Sequence, residues 1–279
     1  MVVVIMGGLG NQMFAYAFGE SVAAARGEEV IYAQQGLGTG SIRAYSLGAF
    51  KVRDDIKFIH IDMAHRQAKD VLHDNGMDFK FQPGVYTAPR GTLFEGCWQT
   101  EKYFDASKVR AAFDLRNAPT IPSCRVADRI VQAGKRSTFL HIRRTDYLTN
   151  PLNPEFHGGP TMHYYTEAVE RIRAHYEDAR FFIFSDEPEW CIANFPAEFE
   201  VVKHNKMGMN GRTGQEHEDI WLMRLCQNGA VANSSFSWWG AWLGDDRPDR
   251  LVFAPERWFK TPTMEDKDVV PERWIKLAN

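Results

Sequence analysis

From Ser137 onward, short apolar runs alternate with helix-length segments, and this rhythm constrains the fold more than any other feature of the chain. The predicted order is strand Ser137 to Ile142, helix Met162 to Tyr176, strand Arg180 to Ser185, and a weaker strand Phe199 to Val202. Helix Glu218 to Cys226, strand Gly229 to Ala232, a helix over WWGAWLG and strand Arg250 to Ala254 complete it, and a helix at about 123 to 134 precedes it. Strands joined through helices pair in parallel, so polar groups at their carboxyl ends are the first place to look for chemistry. No internal repeat or low-complexity tract interrupts the pattern.

The first half opens in the same style. VVVIMGGLGNQM reads as an apolar strand, a glycine turn and a helix, with Phe14, Ala17, Phe18, Val22 and Ala25 forming the apolar face of a helix from Asn11 to Arg26. It is a poor dinucleotide site. Met13 stands where the third glycine of GxGxxG belongs, and the next strand, about Glu29 to Ala33, ends in Gln34 and Gln35 rather than in a ribose-binding carboxylate. The turn either serves the fold alone or offers backbone N–H groups to an anion or polar ligand. Residues 36–95 give no secure assignment; a further helix is expected near Tyr103 to Phe113. The break in APTIPS, around Pro119 to Pro122, divides the chain into expected domains 1–120 and 121–279, with a C-terminal tail able to pack on the first.

Composition removes several function classes. A chain of 279 residues with 44% hydrophobic and 25% charged residues has the make-up of a globular protein, and a net charge of -3 gives no basic face for nucleic acid. No apolar stretch approaches a membrane span and no secretion signal is recognisable, so at most peripheral membrane contact is expected. Cys97, Cys124, Cys191 and Cys226 lie far apart without metal spacing, which fits reduced thiols in the cytoplasm. The Asn233-Ser234-Ser235 sequon is then a chance match. The only DxD, Asp266-Lys267-Asp268, follows no strong strand and is a thin candidate for a metal.

Three strand ends carry the polar chemistry. In HIRRTDY two arginines follow a strand directly; a guanidinium is not buried unpaired, so at least one faces the crevice, where it can grip phosphate oxygens bidentately. Asp146 could hold that guanidinium, and a structural Arg–Asp pair is the plainer alternative. In FSDEPEW, Ser185 and Asp186 could meet a ribose or a base, although taken alone the motif reads better as a helix cap before Pro188. Asn233, Ser234, Ser235 and Phe236 open a helix whose N–H groups and hydroxyls could cradle an anion; capping explains one serine, not three. Trp238 and Trp242 are expected in the core. Together these features suit a nucleoside diphosphate bound without metal.

The motifs GGLGNQMFAYA, HIRRTDY, FSDEPEW and ANSSFSWWGAWL, in this order and spacing, resemble the family-eleven glycosyltransferases, the α-1,2-fucosyltransferases. The resemblance spans residue 5 to about residue 255. It implies an α/β fold of GT-B type, two Rossmann-like domains facing across a cleft, and transfer of L-fucose from GDP-fucose with inversion. It implies that Arg143 contacts the diphosphate with Arg144 in support, that His141 and Asp186 help place the nucleoside, and that the Ser234 to Phe236 loop lines the donor pocket. Gly8 and Gly10 would let the backbone approach the sugar diphosphate, and Asn11 would offer its amide to donor or acceptor. His157 in NPEFHGG, with Glu155 beside it, is the candidate general base, unless a donor phosphate oxygen takes the proton. One departure is Thr145, where the family commonly has glycine. The implied acceptor is a galactose-containing oligosaccharide or lipid-linked glycan, and no cofactor or metal is called for. The alternatives are a related transferase with another linkage or GDP-sugar, and a carbohydrate-binding protein without activity.

Overall fold

Every pairing between named strands in the computed structural model is parallel. The structure describes residues 1–35, 44–74, 79–144, 159–203, 215–261 and 264–279. The chain forms two units, Met1–Arg116 with Thr263–Pro271, and Asn117–Pro262 with Glu272–Asn279. The division falls just before the APTIPS break. No described helix is long and apolar enough to cross a membrane.

The first unit is built on strands β1 (Val2–Ile5), β2 (Ile31–Gln34), β3 (Phe58–His60), β4 (Asp70–His73) and β5 (Thr92–Glu95), in the order β3-β2-β1-β5-β4. Helix α1 (Leu9–Arg26) covers the sheet with a face that includes Met13, Phe14, Ala17, Phe18 and Val22, all fully buried. It starts at Gly8 and ends at Gly27, whose left-handed φ of 61° lets its N–H bond back to Ala23 and Ala24. Short helices α2 (Ile61–Gln67) and α3 (Ala106–Ala112) complete the unit. Asp268 joins it through its carboxylate, which accepts from Phe81 N at 2.8 Å and from Lys102 Nζ at 2.6 Å. The DxD motif thus supplies an internal clip.

The second unit holds β6 (Ser137–Ile142), β7 (Arg180–Ser185), β8 (Glu200–Val201), β9 (Asn228–Ala230), β10 (Val252–Pro255) and β11 (Ile275–Leu277), in the order β11-β10-β9-β6-β7-β8. All six residues of β6 are buried, the polar Ser137, Thr138 and His141 among them, as befits a central strand covered on both faces. Its helices are α4 (Ile121–Ala133), α5 (Met162–His175), α6 (Pro188–Asn194), α7 (Glu216–Leu225) and α8 (Ser235–Trp242). Thr120 caps α4 and Thr161 caps α5, each accepting from the N–H three residues on. The buried carboxylate of Glu218 on α7 accepts from Thr120 N at 3.0 Å, from Thr120 Oγ1 at 2.7 Å and from Ser123 Oγ, tying α7 to the start of α4. Trp238, Trp239 and Trp242 are buried and in ring contact, with Trp238 and Trp242 stacked at 5.8 Å, so the tryptophans serve the core. Each indole removes on the order of 200 Å² from water, a contribution of roughly 5 kcal/mol.

Candidate active site

In an open parallel sheet, ligands bind outside the carboxyl ends of the strands where the strand order reverses. In the second unit the chain builds β6, β7 and β8 in one direction and β9, β10 and β11 in the other, so the reversal lies between β6 and β9. The segments leaving these two strands carry His141 to Arg144 and Asn233 to Phe236. They meet there, with the His141 and Phe236 rings 5.5 Å apart.

Arg143 and Arg144 have different surroundings. Arg143 Nη1 lies 3.2 Å from Asp186 Oδ2, and its side chain keeps 27% exposure while that of Asp186 keeps only 7%. The other oxygen, Asp186 Oδ1, accepts from Arg144 N at 3.1 Å. One buried carboxylate therefore joins the ends of β6 and β7 and holds a guanidinium that stays partly open. Arg144 instead donates from Nε to Glu187 Oε2 at 2.9 Å, and its guanidinium carbon sits 3.7 Å from the centroid of the Trp190 ring. The helix-cap reading of FSDEPEW does not hold: the cap position of α6 is Glu187, which makes no side-chain cap bond, and Asp186 faces the arginine. Ser185 Oγ accepts from Glu187 N at 2.9 Å and shapes that turn.

His141 is buried at the end of β6, and Tyr165 on α5 donates its hydroxyl to the His141 carbonyl at 2.8 Å. Burial, reinforced by the Arg143 charge and opposed by Asp186, pushes the imidazole down to about 3, so it is neutral at pH 7. Its Nδ1 is buried without a hydrogen-bond partner among the described residues. Beside it, Ser234 caps α8, accepting from Phe236 N at 3.4 Å, and Asn233 Nδ2 donates to Trp258 O at 3.1 Å. Ser237 is buried, its hydroxyl 3.4 Å from both Ala232 O and Ser234 O. Of the serines in the motif, Ser234 and Ser235 remain half-buried at the helix start.

The first unit has its own reversal, between β1 and β5. The glycine that its turn requires is Gly7, with φ 73°, where an added Cβ would stand 2.9 Å from Asn11 Nδ2. Gly8 has an ordinary extended backbone and Gly10 lies within α1. Gln12, fully buried, donates to Gly7 O at 3.0 Å and Ala44 O at 2.8 Å and accepts from Ser46 N at 2.9 Å. Asn11 Oδ1 accepts from Gln99 Nε2, just past β5, at 3.0 Å.

Thr145, Asp146, Glu155 and His157 lie outside the described residues. Reading the sequence alone missed Gln99, Gln12, Trp190 and Tyr165. Trp190 and Tyr165 sit in helices where an aromatic residue signals core; Gln99 follows a strand in the stretch whose pattern was not assignable.

Residues 93–278 match the family model for glycosyl transferase family 11. An alpha-1,2-colitosyltransferase of Escherichia coli is 28% identical over 98% of this chain and 97% of its own length. The O-antigen biosynthesis glycosyltransferase WbnK of Escherichia coli is 36% identical over 53% of this chain and 47% of its own. The galactoside 2-alpha-L-fucosyltransferase Sec1 of Mus musculus is 29% identical over 53% and 40%. Among solved structures, the NodZ alpha-1,6-fucosyltransferase soaked with GDP-fucose superposes with a TM-score of 0.50, at 16% identity, over 90% of this chain and 94% of that one. That likeness speaks for the fold, an α/β architecture of GT-B type with two Rossmann-like units. The family match and the arginine-bearing strand ends converge: the chain belongs to glycosyl transferase family 11 and is a glycosyltransferase.

Proposed function

We propose that the protein transfers L-fucose from GDP-fucose, with inversion and without a metal ion, to a galactose O2 of an oligosaccharide or lipid-linked glycan in the cytoplasm. The observation that carries this reading is the pairing of Arg143 with the buried Asp186 at the reversal between β6 and β9. When the bond from fucose C1 to the phosphate oxygen breaks, negative charge gathers on GDP and the sugar becomes oxocarbenium-like. Arg143, held by Asp186 and partly open, supplies a fixed positive fork for that charge, and the N–H groups at the start of α8 add to it. His141 Nδ1 and the half-buried Ser234 and Ser235 are groups to which a nucleotide could bond. Asn11 is given the role of offering its amide to the donor or the acceptor. The acceptor oxygen attacks C1 from the face opposite GDP, and its proton passes to His157 or to a donor phosphate oxygen. An unchanged pH–rate profile in His157→Ala would exclude the histidine.

A second reading, transfer of colitose, is favoured by the 28% identity to a colitosyltransferase along nearly the whole chain. Colitose is fucose without its 3-hydroxyl, so one pocket could serve either sugar. Purified protein is incubated with GDP-fucose or GDP-colitose, a galactose-terminated acceptor and EDTA, and the linkage of the product is determined. Product from GDP-fucose in EDTA is the expected result. Product from GDP-colitose alone would move the assignment to the second reading, activity restored only by a divalent cation would overturn the metal-free mechanism, and GDP binding without turnover would indicate a binding protein.

A further inference from the structure

Strand β6 stays paired with β7 as far as Ile142 and Ser185, whereas its ladder with β9 ends two residues earlier, at Leu140 and Ala230. The sheet therefore forks at the reversal, and the first residues past the fork are His141 on one side and Val231 on the other. Two consecutive tyrosines of α5 meet these two residues. Tyr165 donates its hydroxyl to His141 O at 2.8 Å, and Tyr164 donates to Val231 O at 2.7 Å. The Tyr164 oxygen also lies 3.0 Å from Phe253 O in β10, but a hydroxyl has one proton, and Phe253 O already accepts from Val231 N at 3.0 Å. Both tyrosines are buried, their rings edge to face at 5.0 Å, and Thr161 caps the helix by accepting from Tyr164 N at 3.4 Å. A core needs the rings; it does not need two hydroxyls aimed at matching carbonyls on either side of one gap.

We propose that Tyr164 and Tyr165 are positioning residues for the donor: their hydroxyls hold the fork between β6 and β9 at the width that sets His141 to Arg144 against Asn233 to Phe236. This rests on the proposed function, which puts the nucleotide at that fork. A buried carbonyl must find a hydrogen-bond donor. Supplied by α5, these donors let the two strands part without drawing water or further ladder bonds into the gap. Arg143 and Asn233 each follow two residues behind a braced carbonyl, so a shift at the fork reaches both walls of the site. All the groups involved lie within the second unit.

Tyr164→Phe and Tyr165→Phe keep the rings and remove only the hydroxyls. In each, KM for GDP-fucose is expected to rise and GDP affinity by calorimetry to fall about fivefold or more, with KM for the acceptor near wild type. Tyr32→Phe is the control: it removes a similarly buried hydroxyl, bonded to Glu20 Oε1 at 2.9 Å in the first unit, and is expected to lower the unfolding temperature without touching GDP affinity. Wild-type GDP affinity in both α5 variants, or an equal loss in Tyr32→Phe, would overturn the proposal. The fork itself is read without nucleotide. The His141 and Phe236 rings lie on either side of it, 5.5 Å apart, so the ring-proton resonances of His141, identified by their absence in His141→Phe, carry the Phe236 ring current. They are expected to move in Tyr165→Phe and to stay in place in Tyr32→Phe; unmoved resonances in Tyr165→Phe would overturn the bracing. If wild type neither binds GDP nor transfers a sugar while these resonances move, the proposed function fails and the bracing stands.

Discussion

At the reversal of strand order in the second unit the strand ends are charged: Arg143 pairs with Asp186 and Arg144 with Glu187. At the corresponding place in the first unit Asn11 is bonded to Gln99 and Gln12 clamps the turn. The carboxylates at the strand ends there, Glu95 and Asp74, face His65 and His73 and the N–H groups of Cys97 and Trp98, with no guanidinium among these contacts. The same topology thus supports two chemistries. A diphosphate calls for fixed positive charge, and an always-ionised guanidinium beside a buried carboxylate provides it. Sugar hydroxyls both donate and accept, and amides answer them without charge to desolvate. The contrast predicts that changes in the second unit strike nucleotide binding and the leaving group, whereas changes in the first strike transfer and spare GDP.

The sharpest way to break that contrast is Arg143→Lys. An ammonium cannot reproduce the fork, so kcat is expected to fall by about 100-fold or more, with the circular dichroism spectrum unchanged; near-normal turnover would end the assignment of Arg143. Next is Asp186→Asn, which keeps an acceptor for Arg144 N but removes the charge that holds Arg143. The expected loss is roughly 10-fold in kcat with weaker GDP binding by calorimetry, and wild-type values for both would show that the pair orients nothing.

For the first unit, Gly7→Ala forces a side chain into a left-handed position beside Asn11. It should cost about 1 kcal/mol of stability and slow transfer several-fold while GDP affinity stays as it was. Weakened GDP binding would contradict the division of labour. The smallest effect concerns acid. His141 is pushed down to about 3 in the folded protein and returns to about 6.5 when unfolded, so between these values the unfolded chain binds more protons. Its contribution to stability is complete above about pH 6.5 and is lost as pH falls toward 3. His141→Phe should flatten the decline in unfolding free energy between about pH 6.5 and 5, by less than about 1.4 kcal/mol per pH unit; an unchanged slope would place the titration elsewhere.

Much of the second unit was legible in the sequence because its central strands carry buried apolar runs, Phe139-Leu140 in β6 and Phe181 to Phe184 in β7. Ser137–Ile142 and Arg180–Ser185 were read to the residue. The first unit hid β3, β4 and β5 because they are only three or four residues long, and β3 and β4 are largely exposed. The arginine motif was visible, since two guanidiniums after a strand demand partners. The identity of one partner was not: Asp186 lies 43 positions beyond Arg143, and parallel pairing of Ile142 with Ser185 brings the two together. Gln99 gave no signal, because an amide next to a tryptophan has no pattern of its own.

The clip made by Asp268 bears on how such enzymes can be recombined. The first unit takes Thr263–Pro271 from near the far end of the chain, so the polypeptide passes from one unit to the other three times. A single cut after Arg116 would release a fragment whose Phe81 N–H and Lys102 have lost their carboxylate. A hybrid that exchanges one unit for a relative's therefore needs three junctions and not one. Under a single crossover after Arg116, Met1–Arg116 and Thr263–Pro271 come from different parents, so the clip survives only where the second parent supplies a carboxylate that fits Phe81 N and Lys102.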